Sequence, residues 1–425
     1  MNSDLGERAQ GMLIQPFIGL RPLSALVQQM AAPPYDVLDR QEALQLASSN
    51  PYSFLHVSKA EIDLPADISP YDLKVYQTAR QNLQHMKEQG WLVRDGEPSL
   101  YLYRLVMGDR QQVGVVAAAA VAGLESERIK RHEFTRPDKE QDRTLHASTI
   151  GAHSGPVFLT FRSTEKIASL VARGCACDPL YDFTASDGVV HTLWRLADQA
   201  LISELVAAFE ALEAVYIADG HHRSAAALAI AKKQRSLATG EEQGGGEPLY
   251  ERFLTVLFPA DQVQIMDYNR VVRDLNGLTP EAFLQKVQER FTVTPSSVPV
   301  RPKREHEFGL FLAGAWYRLT LAEDWINAQD PVARLDVSLL NVHLLEPILG
   351  IMDPRRDPRI DFVGGIRGLE VLVEQVQSGE MAVAIALYPT QLTDVMAVAD
   401  AGQVMPPKST WFEPKLRDGL IIQEI

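Results

Sequence analysis

A cluster of chemically active side chains follows a short apolar segment in the middle of the chain. Residues 214–218 (AVYIA) predict a buried strand, residues 219–224 (DGHHRS) follow at once, and an alanine-rich helix is predicted over 224–236. Where a glycine turns a strand into a helix, the first backbone N–H groups of the helix are unpaired and point outward. With the positive end of the helix dipole they form an anion site, which here involves Gly220 and Ser224.

The side chains of this turn add the groups that phosphate chemistry needs. Arg223 offers a bidentate donor to phosphate, and His221 and His222 can hydrogen-bond phosphate or transfer protons near neutral pH. Asp219, at the end of the predicted strand, can hold a metal ion or accept the proton of a hydroxyl. The alternative is a plain Asp-Gly turn with exposed histidines. Two histidines and an arginine on one turn favour a functional site.

A charged stretch over residues 125–143 (ESERIKRHEFTRPDKEQDR) contains a second candidate site. Glu133 has the chemistry of a general base, and Arg131 or Arg143 that of a clamp for a carboxylate or phosphate. His132 lies between Arg131 and Glu133 and belongs to the same candidate set. Composition alone favours the alternative, a solvated loop and helix face.

A third candidate lies near the C-terminus, in residues 406–412 (PPKSTWF). Two prolines stiffen the approach, and Lys408, Ser409 and Thr410 offer an ammonium and two hydroxyls to a phosphate or carboxylate. The alternative is a structural tail whose aromatic residues dock on the body of the protein. A functional role requires this end of the chain to fold back onto the turn at 219–224.

Several common catalytic arrangements are missing from the sequence. It contains neither the G-x-x-x-x-G-K-[ST] pattern of a P-loop nor the G-x-S-x-G pattern of a nucleophile elbow. The two cysteines exclude a disulfide framework. A metal-dependent hydrolase using His221 and His222 ranks last among the functions considered, because adjacent histidines on a tight turn rarely converge on one ion.

Five segments together resemble the prokaryotic family called domain of unknown function 1015. The resemblance spans nearly the whole chain, and its motifs are specific. The matching segments are residues 32–36 (APPYD), 50–57 (NPYSFLHV), 131–133 (RHE) with Asp142 and Arg143, 218–223 (ADGHHR) and 405–415 (MPPKSTWFEPK).

The turn at 219–224 also resembles the phosphate-binding turn of the ParB/sulfiredoxin-like superfamily, which includes kinases of free L-serine and nucleotide-binding proteins of DNA partitioning. The resemblance implies a small-molecule kinase that uses ATP or ADP with Mg²⁺ and phosphorylates a hydroxyl, free L-serine being one candidate acceptor. The alternative is a nucleotide-binding regulatory module related to the ParB-like proteins, without catalysis. The implied residues are Asp219, Glu133 and His221 for catalysis, Asp219 for the metal, Gly220, His222, Arg223, Ser224, Lys408, Ser409 and Thr410 for the nucleotide, and Tyr35, Asp36, Arg131, His132 and Arg143 for the substrate.

These residues must be positioned by a mixed α/β structure, because strand and helix patterns alternate along the chain. Predicted helices include residues 71–89 and 280–290, and residues 99–106 and 112–122 predict a hairpin. We expect an α/β (α+β mixed) fold with a ParB/sulfiredoxin-like nucleotide-binding core and an additional C-terminal α/β lobe. The expected segments are an N-terminal lobe at 1–125, the core at 126–274 and the C-terminal lobe at 275–425.

Composition excludes several classes of protein. The 425 residues are 46% hydrophobic and 23% charged, which is typical of globular proteins and not of disordered or fibrous ones. A net charge of −14 disfavours nucleic acid as a partner. The longest apolar run, 113–124, is too short for a membrane span, and the polar N-terminus does not look like a signal peptide. We therefore expect a soluble cytoplasmic protein without a membrane partner, and the sequence is compatible with a homo-oligomer.

Overall fold

The alternating strand and helix patterns of the sequence fold into two structural units. The computed structural model describes residues 12–238 and 247–425. The first unit is built from the chain up to Val263 together with Pro414–Ile425, and the second unit is Gln264–Glu413. Most of the glycine-rich loop predicted over 239–248, like most of the polar N-terminal segment, lies outside the described residues.

The first unit contains two sheets. Nine strands form the larger sheet and four form the smaller one. The larger sheet consists of Ile14–Gln15, Leu100–Met107, Arg110–Ala120, Ile129–Lys130, Val157–Phe161, Tyr181–Thr184, Val190–Leu196, Val215–Asp219 and Arg252–Pro259, and the smaller one of Gly19–Pro22, Leu92–Arg94, Ala152–His153 and Ile422–Glu424.

Helices accompany both sheets of the first unit. The helix Arg40–Ala47 has Asp39 as its N-cap, whose carboxylate accepts from the backbone N–H of Glu42 in a capping box. The α-helices are Val27–Met30, Arg40–Ala47, Leu55–Ser58, Leu73–Glu88, Val121–Glu125, Pro137–Ile150, Glu165–Gly174, Gln199–Glu210 and His221–Leu237, and short 3₁₀ turns lie at Ala60–Asp63, Leu249–Glu251 and Ala260–Gln262.

The larger sheet is mixed, and its central strand is buried on both faces. Arg110–Ala120 carries a run of valine and alanine that is buried from Gln112 onward, as expected where both faces of a strand are covered. It pairs antiparallel with Leu100–Met107, which confirms the predicted hairpin. Val215–Asp219 pairs parallel with Ile129–Lys130 and antiparallel with Val157–Phe161.

The second unit has its own antiparallel sheet and hydrophobic core. Its six-stranded sheet runs in the order Phe291–Ser296, Ala315–Leu321, Glu307–Leu312, Val383–Leu387, Tyr268–Val272, Ile360–Gly364, and Gln264–Met266 pairs separately with Trp411–Glu413. Its helices are Pro280–Gln288, Asp336–Leu340 (continued by a π-helical turn at Asn341–Leu345), Glu370–Gln377 and Leu392–Asp400, with 3₁₀ turns at Glu323–Trp325 and Gly365–Arg367.

The structure therefore confirms the mixed α/β class, but the two units differ from the three expected segments. Leu100–Met107 lies in the expected segment 1–125 and Val157–Phe161 in the segment 126–274, yet both belong to one sheet. Pairing between strands that are distant in sequence cannot be read from local composition. Among the described residues, no helix combines the length and the apolar character that a membrane crossing requires.

Candidate functional site

Two neighbouring parallel strands bring the first two candidate sites together. We call Ile129–Lys130 β1 and Val215–Asp219 β2; Val215 lies opposite Ile129, and Tyr216 opposite Lys130. Because the two strands are parallel, their carboxyl ends lie at the same edge of the sheet. The Arg131–Glu133 segment continues from β1 and the turn at 219–224 from β2. This edge, beyond the carboxyl ends of strands, is where ligands bind in open α/β sheets.

The helix after β2 begins three residues earlier than the sequence predicts. This helix, α1, spans His221–Leu237 and has Gly220 as its N-cap with φ of 95°. Within the described residues no side chain caps it. The backbone N–H of Ser224 already bonds the carbonyl of Gly220 at 3.0 Å, so the unpaired N–H groups are those of the first turn. The histidines and Arg223 thus lie inside the helix, because Gly220 alone makes the turn.

Two cations hold the carboxylate of Asp219. Lys415 Nζ donates to Oδ2 at 3.0 Å, and Arg223 Nη2 lies 3.8 Å from Oδ1. Burial alone would raise the pKa of Asp219, but the combined attraction of Lys415 and Arg223 outweighs it and holds this pKa far below its usual range. Asp219 is therefore an ionised, firmly oriented acceptor and a weak base.

The Arg223 side chain is largely buried and fixed by its contacts. Its side chain is only 13% exposed, and its Nη1 donates to the backbone carbonyl of Pro156. The guanidinium also packs against Gly220, since a Cβ built there would lie 3.1–3.2 Å from its atoms. The guanidinium is thereby held in one position beside Asp219 and the start of α1.

His132, Glu133 and His221 form a second cluster at the same edge. The two imidazoles meet edge to face with ring centroids 4.5 Å apart, and Glu133 Oε2 lies 3.8 Å from His221 Nδ1. Burial lowers the pKa of His132 to about 4 and that of His221 well below its usual value. Both imidazoles are therefore neutral near pH 7. The cluster consists of His221, His132 and Glu133. The adjacent His222 does not belong to it.

A recess lined by both polar and apolar side chains lies beside Arg223. Its empty volume is about 490 Å³, including space open to solvent, and its lining includes Tyr35, Arg143, Arg223 and Asp418. The Arg143 guanidinium lies 3.8 Å from the centroid of the Tyr35 ring and pairs with Asp142 at 2.8 Å. Two arginines and an aromatic ring form a wall suited to an anionic or planar ligand.

The remaining predicted residues have varied environments. Asp36 and Arg131 are exposed, and His222 is half-buried. The Ser224 hydroxyl donates to the carbonyl of His221 at 2.9 Å, within its own helix. Lys408, Ser409 and Thr410 belong to the second unit, where the Lys408 carbonyl accepts from Arg270 and the Ser409 carbonyl from Thr390.

Sequence reasoning missed two residues of the site, Lys415 and Asp418. Both belong to the C-terminal segment that returns to the first unit. Asp418 is 3% exposed, and its backbone pairs with Ala32 in an isolated bridge. Lys415 contacts Asp219 directly, but it lies outside the segment 406–412, whose predicted role stays a prediction. The sequence did contain a signal for Lys415, because this residue is the last one in the fifth of the segments that resemble the family.

The conformation of Gly220 gives a first testable prediction. Gly220→Ala should lower the free energy of unfolding by more than the ~1–2 kcal/mol that a left-handed alanine costs, because the new Cβ also presses on the Arg223 guanidinium. Gly90→Ala is the matched control, since Gly90 has φ of 67° and a Cβ built there would meet no described heavy atom within 4 Å. Chemical denaturation of both variants measures the difference. Equal losses would contradict the close packing of Arg223 on Gly220.

Comparison with known sequences identifies the family. The family described as "Protein of unknown function (DUF1015)" matches residues 14–338. The chain belongs to this family, which confirms the resemblance found in the sequence. No curated protein matches the chain.

Solved structures show only a weak likeness to the chain. A conserved hypothetical protein from Pyrococcus furiosus is 14% identical, with a TM-score of 0.34 over 72% of this chain and 93% of that one. A mutant free serine kinase in complex with AMP is 12% identical, with a TM-score of 0.34 over 72% and 91%. SbnI from Staphylococcus aureus, truncated at its C-terminus, is 10% identical, with a TM-score of 0.37 over 71% and 85%. The ParB/sulfiredoxin-like core stays a prediction.

Proposed function

We propose that this protein transfers a phosphoryl group from ATP or ADP to a hydroxyl of a small molecule at the turn 219–224. One observation carries the proposal. The carboxylate of Asp219, at the carboxyl end of β2, has two cations beside it, Lys415 and Arg223. It also lies next to the start of α1, which no described side chain caps. Phosphoryl transfer depends mostly on positioning and on stabilising charge, and such a site supplies both.

The charges of the turn favour a bound phosphate. Lys415 and Arg223 together outweigh the single charge of Asp219, and the N-terminal end of the α1 dipole adds to the positive field. The N–H groups of His221, His222 and Arg223 lie in the first turn of α1 and supply the donors that phosphate oxygens accept from. In this proposal the nucleotide phosphates lie over the start of α1.

Asp219 is the residue that we assign to the acceptor hydroxyl. Its low pKa makes it a poor base, but a loose transition state needs little proton abstraction, and an oriented carboxylate can align the hydroxyl. We assign the small acceptor to the recess beside Arg223, which has Tyr35, Arg143 and Asp418 at its wall. Asp36 and Arg131 stay predicted contacts of that substrate.

The predicted binding of Mg²⁺ directly to Asp219 fits the donors poorly. One carboxylate oxygen accepts from Lys415 at 3.0 Å, and the other has Arg223 at 3.8 Å. A divalent cation would have to compete with both of these charges. We therefore derive no step through Mg²⁺ on Asp219.

Loss of Lys415 should weaken nucleotide binding. Lys415→Met removes a charged donor beside the phosphates and is expected to reduce affinity by about 10- to 150-fold, the equivalent of ~1.5–3 kcal/mol. Calorimetry with ATP, ADP and AMP measures the change. Lys232→Met removes an exposed lysine of α1 and should leave affinity unchanged.

Thermal-shift measurements with nucleotides, followed by transfer assays on L-serine and other hydroxyl compounds, test the activity itself. A melting temperature that no nucleotide changes would refute the proposal. Binding without transfer to any hydroxyl compound would instead support the regulatory module without catalysis.

A further inference from the structure

The cluster of His132, Glu133 and His221 has the donor atoms of a metal site. One ring nitrogen of each histidine and one carboxylate oxygen all lie within 4.8 Å of one another. The histidines come from different segments, His132 from the residues after β1 and His221 from the start of α1. Strand pairing therefore holds the cluster together across the sheet edge.

Three of the four ring nitrogens in this cluster are buried without a hydrogen-bond partner among the described residues. His132 is 2% exposed and His221 7%. Among the described residues, Nε2 of His221 has no hydrogen-bond partner. Neither ring nitrogen of His132 makes a hydrogen bond of normal geometry, although the backbone of Ile217 is near enough to raise the pKa of His132. Buried polar atoms are nearly always paired in folded proteins, because an unpaired one costs about 1–3 kcal/mol. Several such nitrogens in one cluster indicate a partner that is not a protein side chain.

We propose that His132, Glu133 and His221 bind one divalent transition-metal ion of the Zn²⁺ class. Two imidazoles and a carboxylate suit such ions, whereas Mg²⁺ and Ca²⁺ prefer oxygen ligands alone. Ligands around an ion at about 2.0–2.2 Å lie roughly 3–4 Å apart. Side-chain shifts of about 1 Å close this spacing to the separation that ligands have around one ion.

The proposed ion goes beyond the proposed function, since its binding requires no nucleotide. Three protein ligands leave coordination positions open to water or to an oxygen of a ligand. The ion also gives Glu133 and His221 a role other than the predicted proton transfer. Asp219, one residue before Gly220, then remains the carboxylate available to an acceptor hydroxyl.

Metal titration of the full chain tests this inference without any nucleotide. The protein is treated with a chelator, dialysed and titrated with Co²⁺, whose visible absorption reports ligand geometry, and then with Zn²⁺ as competitor. We expect one Co²⁺ per chain, displaced by Zn²⁺ and not by excess Mg²⁺. Failure to bind Co²⁺ or Zn²⁺ would overturn the inference, as would displacement by Mg²⁺, and neither result bears on nucleotide binding.

Variants locate the ion. Loss of a residue that only hydrogen-bonds a metal ligand costs about 10–100-fold in metal affinity. His221→Gln and Glu133→Gln each remove a ligand itself, so each should weaken Co²⁺ binding by more than about 100-fold. His85→Gln, an exposed histidine on Leu73–Glu88, should leave it unchanged. Glu133 is 47% exposed, so its variant keeps the test valid if the buried His221→Gln fails to fold. Unchanged Co²⁺ affinity in Glu133→Gln would overturn the assignment.

Discussion

Asp219→Asn is expected to lower the turnover of phosphoryl transfer by about 10²-fold, the size of effect that loss of precise positioning can have on a reaction rate. Asparagine keeps the size of the side chain and can still accept a hydrogen bond from Lys415. It carries no charge, so it no longer orients a hydroxyl as strongly as the carboxylate does. Nucleotide affinity should be kept or rise, because Lys415 and Arg223 lose the negative charge that they now pair with.

Turnover and nucleotide affinity of the Asp219→Asn variant must be measured together. Steady-state assays with the best acceptor give turnover, calorimetry gives affinity, and circular dichroism gives the folded fraction used for normalisation. Asp109→Asn, an exposed carboxylate in the loop of the hairpin, is the charge-matched control. Full turnover in Asp219→Asn would reduce Asp219 to an ion-pair partner of Lys415 and Arg223.

Local elements were largely predictable from the sequence because their signals are local. The helix predicted over 71–89 is Leu73–Glu88, with Asp72 as its cap. The helix predicted over 280–290 is Pro280–Gln288, with the Thr279 hydroxyl accepting from Ala282. Caps and apolar periodicity lie within a few residues of each other, so one sequence is enough to find them.

The start of α1 was predicted three residues too late, because polar side chains at 221–223 looked like a loop. In the structure the αL conformation of Gly220 completes the turn in a single residue, and His221 begins the helix. The same compact turn buries Arg223 and brings His221 against His132. Composition could not show this, since burial of a polar side chain depends on what packs over it.

The site could be predicted only in part because its residues come from distant segments. The turn at 219–224 and the segment at 131–133 were found by residue type, and the parallel pairing of β1 with β2 explains why they meet. Lys415 and Asp418 reach the site through the return of the C-terminus to the first unit. Such long-range packing leaves no periodic signal in the sequence.

Asp418 should make the stability of the protein depend on pH in an unusual direction. Burial raises the pKa of Asp418 to about 7, against the opposing charges of Arg223 and Arg143, and Asp36 adds to the rise. The backbone at Tyr35 donates to the carboxylate and lowers this pKa slightly. Oδ1 has no hydrogen-bond partner among the described residues. Asp418 therefore keeps its proton in the folded state at pH values where the unfolded chain has lost it.

The sign of the effect follows from this retained proton. Between about pH 4 and pH 7 the folded state binds one proton more than the unfolded state at this residue, so stability falls as pH rises through that window. Each pKa unit corresponds to about 1.4 kcal/mol, which makes the loss between pH 5 and pH 8 on the order of 2–3 kcal/mol. Below about pH 4 the contribution is complete, and above about pH 7 it is lost.

Asp418→Asn isolates this contribution, because asparagine has nearly the same shape and does not titrate. Because asparagine does not titrate, we expect the stability of the variant relative to the wild type to rise by about 2–3 kcal/mol between pH 5 and pH 8. Urea denaturation across pH 5–8 measures the difference. The buried His146 and His153, whose pKa values burial lowers to about 4, contribute equally to both proteins and cancel. Asp109→Asn, an exposed carboxylate in the hairpin loop, should follow the wild-type dependence of stability on pH. If the stability of Asp418→Asn changed with pH in the same way as that of the wild type, Asp418 would be ionised in the folded protein and paired with the arginines beside it.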